Sequence, residues 1–126
     1  MLIESVPNYS EGRRMDVVDA LAAAAAGTPG VFLLDRTSDP SHNRSVLTLA
    51  GEADAVTRAL EATIEVAIRD IDMERHTGEH PRIGAVDVVP FVPLEGATLD
   101  RAAELAWATG ERLARELGVP VYFYEH

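Results

Sequence analysis

The sequence contains no cysteine and no lysine, and each absence excludes a class of chemistry. Without cysteine the chain can form no disulfide framework, no thiol nucleophile and no thiolate zinc site. Its 11 basic residues are all arginine and stand against 21 acidic residues, which gives a formal net charge of −10. This charge repels phosphate backbones and anionic membrane surfaces, so neither nucleic acid nor a membrane is an expected partner. An anionic small ligand would need a local cluster of arginines to bind.

Phosphate loops and long apolar runs are also absent. The glycines of GTPG at 27–30 end a helical segment and do not open one, so nucleotide binding has no support. No apolar run approaches the ~18 residues that span a bilayer, and the N-terminus lacks the basic start and apolar core of a signal peptide. We therefore expect a cytoplasmic protein.

The remaining composition is that of one globular domain. The chain has 126 residues, of which 47% are hydrophobic and 25% are charged, so it can bury a core without disulfides or metals. Hydrophobic periodicity and glycine stops predict helices at 15–26, 52–71 and 99–117. Trp107 lies beside the predicted buried face of the third helix, which consists of Leu99, Ala103, Ala106, Gly110, Leu113 and Leu117. Apolar runs predict strands at 2–6, 31–35, 45–49, 85–92 and 119–124.

The first six of these elements have the order of a split β-α-β, ferredoxin-like unit. The expected fold class is α+β: an α/β sandwich with a mostly antiparallel mixed sheet and its helices on one face. Pro90 has no N–H, so the strand that contains it must lie at an edge of the sheet or end there. The strands at 31–34 and 86–92 are too apolar to face water, so the other sheet face needs a partner layer from a second subdomain or subunit.

Candidate chemistry is concentrated in the stretch ERHTGEHPRIGAVDVVPFVP at 74–93, where a polar loop with two histidines enters the most apolar run of the sequence. A strand beginning near residue 85 would hold several polar side chains at its entrance. They are Arg75, His76, Glu79, His80 and Arg82.

The spacing of the two histidines leaves three interpretations open. The string HTGEH matches an inverted zinc-protease signature, in which His76 and His80 would bind zinc, but Gly78 and Pro81 disfavour the helix that this motif requires. A histidine beside a carboxylate is also suited to proton transfer near neutral pH. The third interpretation is a surface histidine in a turn.

Two further loops are polar. In SDPSHNR at 38–44, the side chains of Asp39, His42, Asn43 and Arg44 could bind a carboxylate or an amide, although ordinary turn chemistry is the favoured interpretation. The stretch PNYSEG at 7–12 is either a ligand-contacting strand end or a plain loop before the first helix.

Five stretches of the sequence resemble one family over essentially the whole chain. They are VPNYSEGR at 6–13, LLD at 33–35, HNR at 42–44, IDMERHTGEHPRIGAVDVVPFVP at 71–93 and RLARELGVPVYFY at 112–124. These stretches look like the N-terminal subdomain of glutamate formiminotransferases, in which two ferredoxin-like subdomains face each other across a folate tunnel. In that family the N-terminal subdomain continues beyond the strand matched by VPVYFY and a second subdomain follows. The resemblance thus implies that 1–126 corresponds to a truncated N-terminal subdomain without the second subdomain. Such a chain is a fragment, a truncated relative, or one part of an assembly whose other subunit supplies the missing half.

The resemblance implies an enzyme that transfers a formimino group between N-formimino-L-glutamate and tetrahydrofolate, in histidine degradation and one-carbon metabolism. Tetrahydrofolate would be a co-substrate, and no metal is expected. The family's catalytic histidine lies in GEHPR, so His80 would be the general acid and base. The candidate substrate-binding residues are Arg44, Arg82, Asn43, Glu79 and Asp39.

The implied partner is a C-terminal formiminotransferase subdomain or a second copy in a homodimer. The alternative function is a catalytically incomplete folate-binding or interaction module that pairs through its exposed sheet face. A third function, metal-dependent hydrolysis, would use His76 and His80 as zinc ligands.

Overall fold

The structure, a computed structural model, describes residues 1–71, 86–87, 91–94 and 99–117. These residues form strands and helices in the predicted order. The strands are β1 Leu2–Ser5, β2 Asn8–Tyr9, β3 Val31–Asp39, β4 Arg44–Glu52, β5 Val86–Asp87 and β6 Phe91–Pro93; the helices are α1 Met15–Ala26, α2 Ala53–Asp70 and α3 Leu99–Leu117.

Strand β4 is at the centre of the sheet. On one side it pairs with β3, and on the other side it pairs with β1 and β2, in every case antiparallel. The Leu47 N–H donates to the Pro7 carbonyl at 3.1 Å, so β1 and β2 form one interrupted strand along β4. Strands β6 and β5 pair in turn with β1 and β2, again antiparallel. The resulting order is β3, β4, β1 with β2, then β6 with β5, which confirms the ferredoxin-like prediction.

Helices α1 and α2 cover one face of this sheet. Alternate residues of β4 are buried, namely Ser45, Leu47 and Leu49, because successive strand residues point to opposite faces. The helices supply the other half of the core through apolar residues at helical spacing. These residues are Val17, Val18, Leu21 and Ala25 of α1 and Val56, Leu60, Ile64 and Ala67 of α2.

The opposite face of the sheet, which we call the open face, has no covering layer among the described residues. A row in register across it runs from Phe32 through Ala50 and Glu4 to Val92. The side chain of Phe32 is 68% exposed, and those of Leu34 and Val92 are exposed too. A β-bulge at Leu34 interrupts the pairing of β3 with β4. The open face is thus an apolar surface of the kind that a partner covers.

The predicted bounds of α1 and α3 are confirmed, and those of α2 are confirmed to within one residue at each end. The predicted buried face of α3 is confirmed at Gly110, which is buried, but it is wrong at Ala103, which is exposed. Trp107 is 54% exposed, whereas Ala102 and Thr109 are buried. The described side of α3 that is buried is therefore displaced from the predicted face toward Ala102 and Thr109. The helix packs on β6 and α2, and Arg112 Nε lies 3.0 Å from Glu61 Oε1 of α2.

Several predictions fall outside the described residues, including the loop at 72–85, Pro90 and the strand at 119–124. Strand β5 lies within the predicted strand at 85–92, and β6 overlaps its end and extends one residue beyond it; both are at one end of the strand order that the structure describes. None of the helices in the described ranges combines the length and the apolarity needed to cross a bilayer.

Candidate functional site

The loop that precedes α1 packs against the turn between β3 and β4. We call residues 10–14 the entry loop and residues 40–43 the hairpin turn. The Gly12 N–H donates to Asn43 Oδ1 at 2.8 Å, and Arg13 Nε donates to the Pro40 carbonyl at 2.8 Å. The Ser45 hydroxyl donates to the Glu11 carbonyl. Because β2 and β4 are neighbours in the sheet, the loop and the turn meet at the same sheet end and form one unit.

This unit depends on close backbone approach at Gly12. A methyl group on Gly12 would lie 2.5 Å from the Arg44 nitrogen and 2.6 Å from the carbonyl oxygens of both Arg44 and Asp39. Asn43 has a φ of +51°, in the left-handed region that asparagine tolerates better than most residues. Both residues thus shape the hairpin turn so that the entry loop fits against it.

Glu11 places a buried carboxylate at the centre of the entry loop. Its side chain is 3% exposed and accepts hydrogen bonds from the Arg13 N–H at 3.2 Å and the Arg14 N–H at 3.0 Å. Arg14 Nε adds an ion pair at 2.7 Å. Burial raises the pKa of Glu11, but the hydrogen bonds from Arg14 and Arg13 outweigh it and hold the pKa below its usual range. The carboxylate is therefore ionised at neutral pH and orders the loop.

Glu11→Gln is expected to reduce the free energy of unfolding by about 2 kcal/mol at neutral pH, because it removes a charge that accepts several hydrogen bonds. A pKa lowered by folding stabilises the protein above the unfolded value near 4.5, and this stabilisation is lost as pH falls through the folded value. The difference between wild type and variant should therefore shrink in acid. Urea denaturation at a series of pH values measures it.

The control is Glu65→Gln, which changes an exposed carboxylate on α2 and should alter stability little at any pH. A Glu11→Gln deficit that stayed constant from neutral to acidic pH would contradict the electrostatic account of Glu11.

Arg14 extends the unit to the end of α2. Its terminal guanidinium nitrogen donates to the Asp70 carbonyl at 2.7 Å. Asp70 itself pairs with Arg69, whose hydrogen bond holds the pKa of Asp70 below its usual range. The segment 72–85, which contains His76 and His80, begins two residues after Asp70 in the sequence.

The hairpin turn is closed by its own side chains, as the turn-chemistry interpretation predicted. Asp39 Oδ1 accepts the N–H groups of Ser41 at 2.9 Å and His42 at 3.3 Å. The other oxygen of Asp39 lies 2.5 Å from His42 Nδ1. The hydrogen bond from the His42 side chain holds the pKa of Asp39 below its usual range, so this carboxylate is ionised at neutral pH.

The predicted site residues divide into two groups. Asp39 and Arg44 are opposite each other in the β3–β4 register, and strand alternation places both on the open-face side of the sheet end. Asn43 is adjacent to Arg44 in the sequence, and its side-chain oxygen accepts a hydrogen bond from the Gly12 N–H. His80, Glu79 and Arg82 lie outside the described residues, as do Arg75 and His76. The ligand-binding roles of all these residues stay predictions.

Sequence reasoning missed the roles of Glu11 and Gly12. An acidic residue shortly before a helix is a weak signal for such a role, because anions are favoured near helix N-termini. Tyr9 of the same stretch is buried and donates to Thr63 Oγ1 at 2.8 Å, and burial raises the pKa of its hydroxyl above the usual range. Tyr9 therefore belongs to the core.

The described residues form a split β-α-β sandwich with helices on one face of the sheet, which defines the chain as an α+β domain of ferredoxin-like topology. Residues 2–126 match the family model described as formiminotransferase domain, N-terminal subdomain. The chain belongs to this family.

Relatives with this domain come from distant organisms. The chain is 51% identical over 98% of its length to formimidoyltransferase-cyclodeaminase of Sus scrofa, of which it covers 23%. It is 47% identical over 98% of its length to glutamate formimidoyltransferase of Streptococcus pyogenes serotype M1, of which it covers 42%. The protein of that name from Thermoplasma acidophilum is 46% identical over 98% of the chain, which covers 41% of it. The chain therefore spans less than half the length of these relatives.

Proposed function

We propose that this chain is the catalytic half of a glutamate formimidoyltransferase, which transfers a formimino group between N-formimino-L-glutamate and tetrahydrofolate in histidine degradation and one-carbon metabolism. One observation carries the proposal: the similarity to relatives of that name is continuous over 98% of the chain. The described fold supports it, since the open face leaves room for a second half to complete a site.

The reaction needs two proton transfers. N5 of the folate attacks the amidine carbon of formiminoglutamate, so a new N–C bond forms while N5 loses its proton. The bond from that carbon to the glutamate nitrogen then breaks, and the departing nitrogen takes up a proton. His80 accepts the first proton and donates the second, because an imidazole exchanges protons readily near neutral pH.

Carboxylates and arginines would assist His80. A protonated amidine is positively charged, so an ionised carboxylate such as Asp39 or Glu79 would stabilise it. The position of Asp39 on the open-face side of the sheet end, opposite Arg44, supports the first of these candidates. Both substrates also carry carboxylates, and the planar guanidinium groups of Arg44 and Arg82 can bind them through paired hydrogen bonds.

The open face supplies the contact with the rest of the enzyme. Relatives named glutamate formimidoyltransferase extend well beyond the 41–42% that this chain covers, so they have room for another subdomain. Phe32 and Leu34 of β3 give the open face exposed apolar side chains of the kind that such a subdomain would bury. The occupant we propose is therefore the C-terminal subdomain, and a second copy of this chain is the alternative.

Phe32→Asp is expected to weaken association with a C-terminal subdomain by about 10- to 100-fold, because a buried phenylalanine contributes about 1.5–3 kcal/mol. The melting temperature of the chain itself should change little, since Phe32 is exposed without its partner. Isothermal titration calorimetry measures the affinity.

The matched control is Ile68→Asp, which changes an exposed apolar residue on α2, away from the open face. Equal losses of affinity in the two variants would contradict the assignment of the open face. Self-association of the wild type that Phe32→Asp abolishes, without binding of the C-terminal subdomain, would favour the homodimer.

A second candidate function is a folate-binding or interaction module that does not complete the reaction. It is favoured by the exposed apolar side chains of the open face, which can pair with another layer whether or not a reaction follows. Tetrahydrofolate binding and glutamate release are therefore measured together, in a mixture of this chain and a C-terminal subdomain. Binding with release supports transfer, binding without release supports the module, and the absence of both contradicts both.

A further inference from the structure

Arg14 joins two parts of the fold that are far apart in the sequence. Its Nε bonds to Glu11 Oε1 at 2.7 Å, and its terminal nitrogen bonds to the Asp70 carbonyl at 2.7 Å, 56 residues away. Glu11 is nearly fully buried and receives the backbone N–H groups of Arg13 and Arg14, so the acceptor that holds the guanidinium is itself fixed. The arginine therefore connects two points of defined position.

One of these points is the C-terminal end of α2. The last carbonyls of a helix have no partner within the helix, and a cation is favoured beside them. The guanidinium of Arg14 satisfies the Asp70 carbonyl, while the Ile71 N–H still bonds to the Ala67 carbonyl at 2.9 Å. These two contacts fix where the chain leaves α2, immediately before the segment 72–85 in the sequence.

The other point is the hairpin turn. Two hydrogen bonds join the entry loop to this turn: the Gly12 N–H donates to Asn43 Oδ1, and Arg13 Nε donates to the Pro40 carbonyl. A continuous series of short polar contacts thus runs from the hairpin turn through the entry loop and Arg14 to the end of α2. Asp39 and Arg44 flank one end of this series, and the segment that contains His80 follows the other.

We propose that Arg14, held by Glu11, is a positioning residue for the transfer reaction, which fixes the hairpin turn relative to the point at Asp70 and Ile71 where the chain leaves α2, before His80 in the sequence. This inference rests on the proposed function. Arg14 needs no contact with either substrate for this role, because its effect passes through the backbone at both ends. Displacements of about 1 Å between reacting groups can cost about 10²-fold in rate, so a residue with this role has a measurable effect on kcat.

The structure offers a closely matched control for Arg14. Arg36 also pairs with a carboxylate, Asp19 of α1, at 2.6 Å, and it is 40% exposed against 48% for Arg14. Among the described residues, the guanidinium of Arg36 bonds to Asp19 and to no residue of the entry loop, the hairpin turn or the end of α2, so it joins α1 to β3 only. Replacing either arginine by alanine removes an ion pair in which the arginine is partly exposed. Arg14→Ala differs in two ways: it leaves the buried carboxylate of Glu11 without this cation, whereas Asp19 is 64% exposed, and it breaks the connection to Asp70.

The kinetic test uses this chain together with a C-terminal subdomain. Arg14→Ala should lower kcat by about 10- to 100-fold with little change in KM, since the substrates still bind but the reacting groups are misplaced. Arg36→Ala should stay within about twofold of wild type, as expected for a surface ion pair. Arg14→Lys should recover part of the loss, because an ammonium keeps the charge but cannot bond to Glu11 and Asp70 in the same geometry.

A second readout does not depend on activity. The imidazole NMR signals of His42 and His80, assigned with the corresponding alanine variants, report on the hairpin turn and on the segment after α2. Arg14→Ala should shift both signals, and Arg36→Ala should shift neither. If the wild type shows no formimino transfer, the proposed function fails, yet the NMR comparison still decides whether Arg14 links the two segments.

The inference is overturned if Arg14→Ala lowers the melting temperature but leaves the His80 signal in place, or leaves kcat at the wild-type value in an active preparation. A shift of the His42 signal alone would also overturn it, because the link to the second segment would be missing. If Arg14→Ala does not fold, the same comparison is made between Arg14→Lys and Arg36→Lys.

Discussion

His80→Ala is expected to lower kcat for formimino transfer by about 10²- to 10⁴-fold, the range that general acid–base catalysis contributes. The reason is that both proton transfers of the proposed reaction pass through this imidazole. KM should change much less, since the carboxylates of the substrates are assigned to arginines. Steady-state kinetics of this chain with a C-terminal subdomain, using formiminoglutamate and tetrahydrofolate, provide the measurement.

His76→Ala is the control, because His76 lies four residues earlier in the same polar stretch and has no role in the proposed reaction. It should keep kcat within about tenfold of wild type, far from the loss expected for an acid–base residue. If both histidines proved equally necessary and the purified protein held one zinc per chain, the acid–base account would give way to zinc ligation by His76 and His80.

Gly12→Ala is expected to reduce the free energy of unfolding by about 3 kcal/mol, at the upper end of the usual cost of overpacking. The added methyl group would meet backbone atoms of Arg44 and Asp39 at 2.5–2.6 Å, and backbone cannot move aside as a flexible side chain can. The entry loop would have to separate from the hairpin turn, with loss of the bond to Asn43. Urea denaturation measures the stability.

The control for this substitution is Gly27→Ala at the end of α1. Gly27 has an ordinary right-handed φ of −78°, and a methyl group there would meet only the Ala23 carbonyl oxygen, at 3.0 Å. The expected change is within about 1 kcal/mol, because alanine also restricts the unfolded chain. Equal stability of Gly12→Ala and wild type would contradict the close packing of the entry loop on the hairpin turn.

The helices could be predicted because their signals are local. The alanine-rich stretch before Gly27 and the apolar period of α2 each define an element within one window of sequence. The sheet order was inferred from the element order, which left the ferredoxin-like arrangement as the natural way to bury the apolar faces. The buried side of α3 was predicted only in part, because Ala102 and Ala103 are alike in sequence and the local pattern does not decide which of them is buried.

The contacts of the candidate site depend on docking between loops that are distant in sequence. Asn43 was predicted as a ligand contact, and its side-chain oxygen accepts a hydrogen bond from the Gly12 N–H, 31 residues away in the sequence. That contact follows from the pairing of β2 with β4, which no local pattern encodes. Glu11 was missed for the same reason, because its burial depends on Arg14 and on the loop around it. The assignment of His80 came from family resemblance, since spacing alone left three interpretations.

The central claim is that this chain supplies the catalytic half of a formimino transfer between formiminoglutamate and tetrahydrofolate. Its most direct test is the release of glutamate from formiminoglutamate by this chain, assayed alone and with a C-terminal subdomain, and with tetrahydrofolate present or omitted. We predict release that requires tetrahydrofolate, appears with the C-terminal subdomain and is lost in His80→Ala. Absence of release from a mixture that still binds tetrahydrofolate would contradict the account and leave the chain as a binding module.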